Sequence, residues 1–151
     1  MSYSSWFQTH GAKHRAILAT LTHLTPQEIV AYFRFEHMQT AHPDFCPLYA
    51  QNKKCHAMEN LNCYLCACPN FRFDDAGFET IGTKELMSYC SVNSPDGARF
   101  EGKSKIHQNC SGCTIPHHEA FILQHFSRDW FEMMAEVKSL SAILPTKTTK
   151  E

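Results

Sequence analysis

The stretch LNCYLCACPNF, residues 61–71, decides what kind of fold this chain can adopt. It contains Cys63, Cys66 and Cys68, and the Cys-x2-Cys spacing turns a chain so that two thiolates face one metal ion. The chain has eight cysteines, and all of them lie within one segment: Cys46, Cys55, Cys63, Cys66, Cys68, Cys90, Cys110 and Cys113. Thiols gathered in this way predict metal binding, and all eight are candidate ligands.

The overall composition argues against nucleic acid or a membrane as the partner of this chain. Its 151 residues carry 14 Lys and Arg against 15 Asp and Glu, without the basic stripe that binds phosphates. No apolar run approaches the roughly 18–20 residues that cross a bilayer, and the N-terminus lacks the layout of a secretory signal. We therefore predict a cytoplasmic protein, in which thiols stay reduced and bind metal more often than they form disulfides.

Three segments follow from the distribution of cysteine, proline and apolar residues. Residues 1–43 are predicted to be helical, residues 44–118 to form the cysteine-rich metal-binding domain, and residues 119–151 to form C-terminal helices and a short tail. All three are expected to pack as one compact unit. The predicted fold class is a small, metal-stabilised α+β or irregular domain, cysteine-rich and flanked by N- and C-terminal α-helices.

The helical flanks carry local sequence signals. Apolar residues at helical spacing predict a helix over residues 12–24. Residues 25–28, Thr-Pro-Gln-Glu, form a capping-box signature, which predicts that a second helix begins at Pro26 and runs to about residue 40. Downstream, Pro116 can begin another helix. A last helix is predicted by a stripe of apolar residues, which are Trp130, Met134, Val137 and Leu144.

The cysteine-rich segment has too few large aliphatic residues for an ordinary core. Residues 46–118 hold only eight Leu, Ile or Val residues, and Gly and Pro interrupt them repeatedly. Ser94-Pro-Asp-Gly97 predicts a β-turn, with a small hairpin across residues 92–106. A structural zinc contributes an apparent ~10–16 kcal/mol to folding, whereas a whole domain is stable by only ~5–15 kcal/mol. Metal would therefore act as the core of this segment.

The spacing of the thiols leaves the number and kind of metal open. Cys63/Cys66 and Cys110/Cys113 are Cys-x2-Cys pairs, and two such pairs are the usual halves of a four-cysteine zinc site. Cys68 is too close to Cys66 to join that pair easily in one tetrahedron, so eight thiols divide naturally into two four-ligand sites. Either two zinc ions or two iron–sulfur clusters fit that number. Cys68 followed by proline resembles the end of a ferredoxin cysteine run, which favours iron–sulfur.

Two histidines beside the cysteines are further candidate ligands. His56 follows Cys55 directly, and His117 lies shortly after Cys113. Imidazole binds zinc and iron, so either ring could replace a thiolate. Alternatively, each ring could donate a hydrogen bond to a metal-bound thiolate and so tune the metal from outside the ligand set. The histidines of the N-terminal half are expected to be packed or exposed side chains.

In this segment the chain resembles a family of small cysteine-rich domains of bacteria and archaea, which is zinc-finger-like and largely uncharacterised. The resemblance is carried by an early cysteine, a Cys-His pair, the block at residues 61–71, a lone cysteine and the closing NCSGCTIPH at residues 109–117. Two departures are the longer spacing between the first two cysteines and Ser91, where the family has Gly. The family implies metal binding, with some members associated with cobalamin functions, but no established reaction.

Three functions are compatible with these residues. The leading hypothesis is a metal-binding protein whose thiolate sites hold zinc and fold a surface for a protein partner. The first alternative is an iron–sulfur redox protein that passes electrons to an enzyme partner, and the second is metal storage or delivery. The sequence has no nucleophilic triad pattern, phosphate-binding glycine loop or thioredoxin-like context, so catalysis is not predicted.

Overall fold

The computed structural model describes residues 2–137, and over that range the chain forms a small α+β fold with five α-helices, two 3-10 helices and six β-strands. The α-helices are α1 (Tyr3–Leu18), α2 (Pro26–Tyr32), α3 (Phe35–Ala41), α4 (Glu119–Gln124) and α5 (Trp130–Met133), and the 3-10 helices are Pro47–Gln51 and Ile115–His117. The strands are β1 (Phe71–Phe73), β2 (Glu79–Ile81), β3 (Lys84–Leu86), β4 (Ser88–Cys90), β5 (Ala98–Glu101) and β6 (Lys105–Asn109). The eight cysteines all lie in the described range, and none of them forms a disulfide.

Contacts divide the chain into two compact units. Within the described residues, the first unit contains residues 2–8, 68–113 and 134–137, and the second contains residues 9–67 and 114–133. The six strands belong to the first unit, whereas α2 to α5 belong to the second. The predicted α+β class and the flanking helices are confirmed for this range. The division into segments at residues 43/44 and 118/119 stays a prediction.

The first unit is built on two small sheets. β1 and β4 pair antiparallel, and the second sheet has the strand order β2, β3, β6, β5. Its central pair, β3 and β6, is parallel, while both outer pairs are antiparallel. The buried apolar side chains of this unit come from the strands and from the flanking segments: Phe7, Phe73, Leu86, Met87, Ile106, Met134 and Val137. This core is small, as expected for a segment poor in aliphatic residues.

The turn predicted at Ser94 forms, but the hairpin lies further along the chain than predicted. The Gly97 N–H donates to the Ser94 carbonyl at 3.1 Å. The strand before this turn, β4, pairs with β1 rather than with β5, so the turn does not join two hairpin strands. β5 and β6 form the antiparallel hairpin instead. The turn depends on local residues, whereas the pairing partner depends on the whole sheet.

The first helix is longer at its N-terminus than the sequence predicted. It begins at Tyr3 and ends at Leu18, so the predicted bounds of residues 12–24 are wrong at both ends. The buried stripe of this helix includes two histidines as well as apolar residues: Phe7, His10, His14 and Ile17. A count of apolar side chains misses the two imidazoles, and it therefore places the beginning of the helix too late.

The helix predicted from Pro26 begins as expected and is then interrupted. Thr25 Oγ1 accepts from the Glu28 N–H at 3.2 Å, and the Glu28 carboxylate accepts from the Thr25 N–H at 2.9 Å, which confirms the capping box. The single helix to residue 40 is wrong, because Phe33 and Arg34 leave helical geometry between α2 and α3. They pair with the cysteine segment instead.

A backbone bridge explains this interruption. The Phe35 N–H bonds to the Leu61 carbonyl at 3.0 Å, and the Cys63 N–H bonds to the Phe33 carbonyl at 2.8 Å. Arg34 lies opposite Asn62 between these two hydrogen bonds. The cysteine segment is thus attached to the helical part of the second unit by its backbone.

The C-terminal part agrees with the sequence in outline. Pro116 lies in the 3-10 helix Ile115–His117, and α4 begins only after it, at Glu119. Trp130, Met134 and Val137 are buried, as the apolar stripe predicted, but the helix predicted to carry all three ends at Met133. Leu144 and the predicted tail lie outside the described residues. Over residues 2–137, no helix has both the length and the apolar character that spanning a bilayer requires.

Two histidines lie in the core of the second unit. The His14 ring packs against Phe33, with ring centroids 5.0 Å apart, and against Tyr64, with centroids 4.6 Å apart. Its Nε2 lies 3.0 Å from the Tyr64 carbonyl oxygen and donates to it. Burial lowers the pKa of His14 to about 3, and the charge of nearby His10 lowers it as well, whereas Asp129 acts in the opposite direction. Burial also lowers the pKa of His10, to about 4.

Acid is expected to destabilise the second unit through these side chains. A histidine has an ordinary pKa of 6.5, so the stability contributed by neutral His14 is complete above pH 6.5 and is lost as the pH falls toward 3. Between pH 7 and pH 4.5 this side chain should remove about 2.5 kcal/mol from the free energy of unfolding. The His14→Gln variant, which keeps a donor for Tyr64, should lose correspondingly less stability in urea unfolding over that range.

The exposed His23 offers a matched control, because His23→Gln should follow the wild-type pH profile. Both variants keep every cysteine, so the pH dependence of any metal binding cancels in the comparison. A His14→Gln profile that parallels the wild type would contradict this prediction.

Candidate metal centre

Three ligand-type side chains of the second unit converge. One ligand atom from each of Cys55, His56 and His117 lies within 4.8 Å of the other two. Cys55 is exposed, His56 is partly exposed and His117 is buried, so solvent reaches the group from the Cys55 side. Thiolate and imidazole together suit zinc and similar metal ions. The protein therefore has a Cys/His group that could hold a metal ion.

The orientation of the His117 ring is set by its neighbours. His117 ends the 3-10 helix that begins at Ile115, and its Nδ1 lies 2.9 Å from the Asn62 carbonyl oxygen. A carbonyl only accepts, so Nδ1 carries the proton. Burial lowers the pKa of His117 to about 4, against the opposing effect of this hydrogen bond, so the ring is neutral at pH 7. Nε2 then presents a lone pair, as a metal-ligating imidazole requires.

The distances within the group separate two roles. His117 Nε2 lies 3.7 Å from Cys55 Sγ. In a tetrahedral zinc site, with Zn–N near 2.0 Å and Zn–S near 2.3 Å, those two ligand atoms lie about 3.5 Å apart. His56 Nδ1 lies only 3.0 Å from the same sulfur, which is a hydrogen-bond distance. The geometry therefore favours His117 as a ligand and His56 as a donor to the Cys55 thiolate.

The loop that carries Cys55 is held by Lys54. The Lys54 ammonium donates to the carbonyls of Met58 at 3.0 Å and Glu59 at 2.8 Å, which closes the loop around its own side chain. It also lies 3.7 Å from the Glu36 carboxylate on α3. A segment without regular structure is thereby positioned, although the ion pair alone contributes little.

Asn62 is fully buried and connects the ligand-bearing segments of the second unit. Its backbone N–H donates to the His117 carbonyl at 3.2 Å, and its own carbonyl accepts from the His117 ring. Its side-chain NH2 donates to the Val30 carbonyl at 2.7 Å and to Glu119 at 3.0 Å, and its side-chain oxygen accepts from the Tyr64 N–H at 2.9 Å. The sequence prediction missed this role. The available signal was an amide directly before a cysteine in an otherwise apolar run.

Three further thiols of the second unit lie near this group: Cys46, Cys63 and Cys66. Cys63 is buried, and Cys66 has a left-handed backbone conformation, with φ of 43°, inside the Cys-x2-Cys turn. Burial raises the pKa of the Cys63 thiol to about 12, and the charges of Cys55 and Cys46 also raise it. Burial and the other three thiols raise the pKa of Cys66 as well. Thiolates that raise one another's pKa in this way repel one another unless a cation neutralises them.

A buried hydroxyl beside these thiols lacks a well-placed acceptor. Tyr49 is 4% exposed, and within residues 2–137 its hydroxyl makes no hydrogen bond of normal geometry, although it lies next to the Cys63 thiol. A buried O–H group costs free energy unless it donates. A metal-bound thiolate is a strong acceptor and would satisfy it. This observation supports metal binding independently of the ligand spacing, and the sequence prediction had not singled out Tyr49.

The eight predicted cysteine ligands fall into two sets of four. Cys46, Cys55, Cys63 and Cys66 belong to the second unit, and Cys68, Cys90, Cys110 and Cys113 belong to the first. Each unit therefore contains one Cys-x2-Cys pair and two single cysteines. The assignment of individual thiols to a metal stays a prediction. His118, beside His117, is exposed, and its ring contacts Thr114 Oγ1 at 2.9 Å.

No protein family model, curated protein or solved structure matches this chain. The resemblance to the small cysteine-rich domain family therefore stays a prediction, and the function is inferred from the site itself.

Proposed function

We propose that this protein binds zinc through Cys55, Cys63, Cys66 and His117, and that the metal holds the second unit in its folded form. The observation that carries the proposal is the pair formed by Cys55 Sγ and His117 Nε2, which lie 3.7 Å apart. The opposite nitrogen of that ring is held by the Asn62 carbonyl at 2.9 Å. Ligands of one zinc ion have this spacing and this kind of support.

Cys63 and Cys66 complete the proposed ligand set. Their Cys-x2-Cys turn can present both thiolates to one ion, and three thiolates with one imidazole form a common structural zinc site. Cys46, which precedes the 3-10 helix Pro47–Gln51, is left outside because four ligands already fill the tetrahedron. The hydroxyl of Tyr49 would then donate to the Cys63 thiolate.

The proposed role is structural. A zinc ion with four protein ligands has no open position for a substrate. The segments that carry these ligands are loops, turns and one short 3-10 helix, so a shared metal would join parts of the chain that have little regular structure of their own. The surface folded in this way is proposed to serve a protein partner, as the leading sequence hypothesis holds.

Removing the His117 imidazole is expected to release one zinc ion per chain. Wild-type protein, purified in reducing buffer without a metal-binding tag, should contain zinc by elemental analysis. His117→Ala should contain one zinc fewer per chain, because three thiolates alone hold the ion less tightly. His118→Ala alters an exposed ring on the next residue and should leave the zinc content unchanged.

Two further measurements sharpen this test. His56→Ala should keep its zinc, because His56 is proposed to donate to the Cys55 thiolate rather than to bind the metal. The ligand-field spectrum of cobalt-substituted protein should change in His117→Ala and stay similar in His56→Ala. Unchanged zinc in His117→Ala would contradict the proposal. Iron with acid-labile sulfide in the wild type would favour the redox alternative, and immediate loss of zinc to a weak chelator would favour storage.

A further inference from the structure

The strands of the first unit bring a second set of thiols together. In the parallel pair of β3 and β6, Glu85 lies opposite Lys105 and Leu86 lies opposite Ile106. Each β3 residue is therefore opposite the residue 20 positions further along the chain. Register persists along a parallel pair unless a bulge interrupts it, so this offset predicts the neighbours of the residues that follow.

β4 continues this pairing beyond β3. The Met87 N–H donates to a β6 carbonyl at 2.8 Å, and the Gln108 N–H donates to Ser88 Oγ at 2.7 Å. Ser88 and Gln108 thus keep the same offset. When the same offset is extended by two residues beyond this pair, it places Cys90 beside Cys110. Cys90 ends β4, and Cys110 directly follows β6.

β1 brings Cys68 to the same end of the unit. In the antiparallel pair of β1 and β4, Phe71 lies opposite Cys90, and the Ser91 N–H donates to the Asn70 carbonyl at 2.8 Å. The Phe71 N–H donates to the Cys68 carbonyl at 2.9 Å. That hydrogen bond has the i to i+3 pattern of a turn, which folds Cys68 back toward Cys90.

Ser94 connects Cys90 with the fourth thiol, Cys113. Its N–H lies 3.5 Å from Cys90 Sγ, and its Oγ lies 3.4 Å from Cys113 Sγ. The Cys113 N–H donates to the Cys110 carbonyl at 3.0 Å, which closes the Cys-x2-Cys turn. Donors that point at cysteine sulfurs are typical of the groups that orient and stabilise metal-bound thiolates.

We propose that Cys68, Cys90, Cys110 and Cys113 bind a second zinc ion, which is independent of the Cys/His site of the second unit. One Cys-x2-Cys pair with two single thiolates is a complete tetrahedral ligand set. Among residues 2–137 these sulfurs are less closely gathered than the Cys55 group, which alone has three ligand atoms within 4.8 Å of one another. Rotation about χ1 moves a cysteine sulfur without moving its backbone, so the ion can draw the four together.

The zinc would supplement a small core. β5 is exposed along its whole length, and the buried apolar side chains of the first unit are few. The burial of apolar surface stabilises such a unit less than it stabilises a full domain. A metal that joins the ends of β4 and β6 to Cys68 would compensate for the missing stability. The zinc is thus a second structural element, not a duplicate of the first site.

Zinc stoichiometry separates the second site from the first. We expect two zinc ions per chain in the wild type, one in the double variant Cys110→Ser/Cys113→Ser, and one in His117→Ala. A single wild-type zinc that is lost in His117→Ala but kept in the double variant would overturn the second site and leave the first. A single wild-type zinc that is kept in His117→Ala but lost in the double variant would support the second site and refute the function proposed above.

A cysteine variant that fails to fold would lose zinc for an unrelated reason, so alkylation tests the site with all its thiols present. In zinc-loaded His117→Ala protein, peptide mapping should show that Cys68, Cys90, Cys110 and Cys113 resist iodoacetamide, and that a chelator makes all four reactive. Equal alkylation with and without zinc would overturn the proposal. Iron with acid-labile sulfide bound by these four thiols would also overturn it.

Discussion

Removal of zinc from the purified protein is expected to unfold the second unit, and restored zinc is expected to refold it. A structural zinc contributes an apparent ~10–16 kcal/mol to folding, which equals or exceeds the ~5–15 kcal/mol by which a whole domain is stable. Without the ion, the buried Cys63 thiol, the partly buried Cys66 thiol and the Tyr49 hydroxyl remain desolvated and lose the metal interaction that offsets this cost. The Cys63→Ser variant should show the same unfolding of the second unit.

Trp130 is a suitable probe for this experiment. It is 1% exposed, and its Nε1 donates to the Leu65 carbonyl at 2.6 Å, directly before Cys66 in the sequence. Trp6→Phe removes the other of the two tryptophans, so that emission reports on Trp130 alone. Addition of chelator should shift this emission to the red and abolish the cooperative melting transition followed by circular dichroism.

The control for zinc removal is the same chelator already saturated with zinc, which should change neither signal. Elemental analysis of the treated protein must show that the metal has left. A zinc-free protein that keeps its native emission and its melting temperature would contradict the structural role. It would then leave storage or redox chemistry as the better explanation of the thiols.

Replacement of Asn62 by alanine is expected to lower the free energy of unfolding by about 4 kcal/mol. The variant removes three side-chain hydrogen bonds and leaves the Tyr64 N–H and the Val30 carbonyl buried without this partner. Each such loss costs about 1–3 kcal/mol. The effects are not additive, because all three belong to one side chain. Urea unfolding of the zinc-loaded protein measures the change.

Asn60 provides the matched control for this substitution. It lies two positions earlier and is exposed, so Asn60→Ala should stay within about 0.5 kcal/mol of the wild type. Asn62→Ala should also bind zinc less tightly, because the lost side-chain hydrogen bonds hold in place the backbone carbonyl that accepts from the His117 ring. An Asn62→Ala protein as stable as Asn60→Ala would show that the amide does not connect these segments.

Several features were predictable because residues close in sequence determine them. The helix that begins at Pro26 depends on reciprocal hydrogen bonds between Thr25 and Glu28, three positions apart. The turn from Ser94 to Gly97 is set in the same local way. In contrast, the helix predicted to continue to residue 40 is interrupted at Arg34 by a strand-like bridge to Asn62, which no local signal reveals.

The sequence by itself determined that this is a small, cysteine-rich chain with helical flanks and metal-ligand chemistry, because residue type and short spacing carry that information. Only the tertiary structure decided which thiols are neighbours. The pairing of β3 with β6 has an offset of 20 residues, which is also the offset between Cys90 and Cys110, and no spacing rule contains it. The different roles proposed for His56 and His117 likewise depend on one long-range hydrogen bond, from the His117 ring to the Asn62 carbonyl. Ligand chemistry is a property of single residues, whereas the grouping of ligands depends on backbone pairing between distant segments.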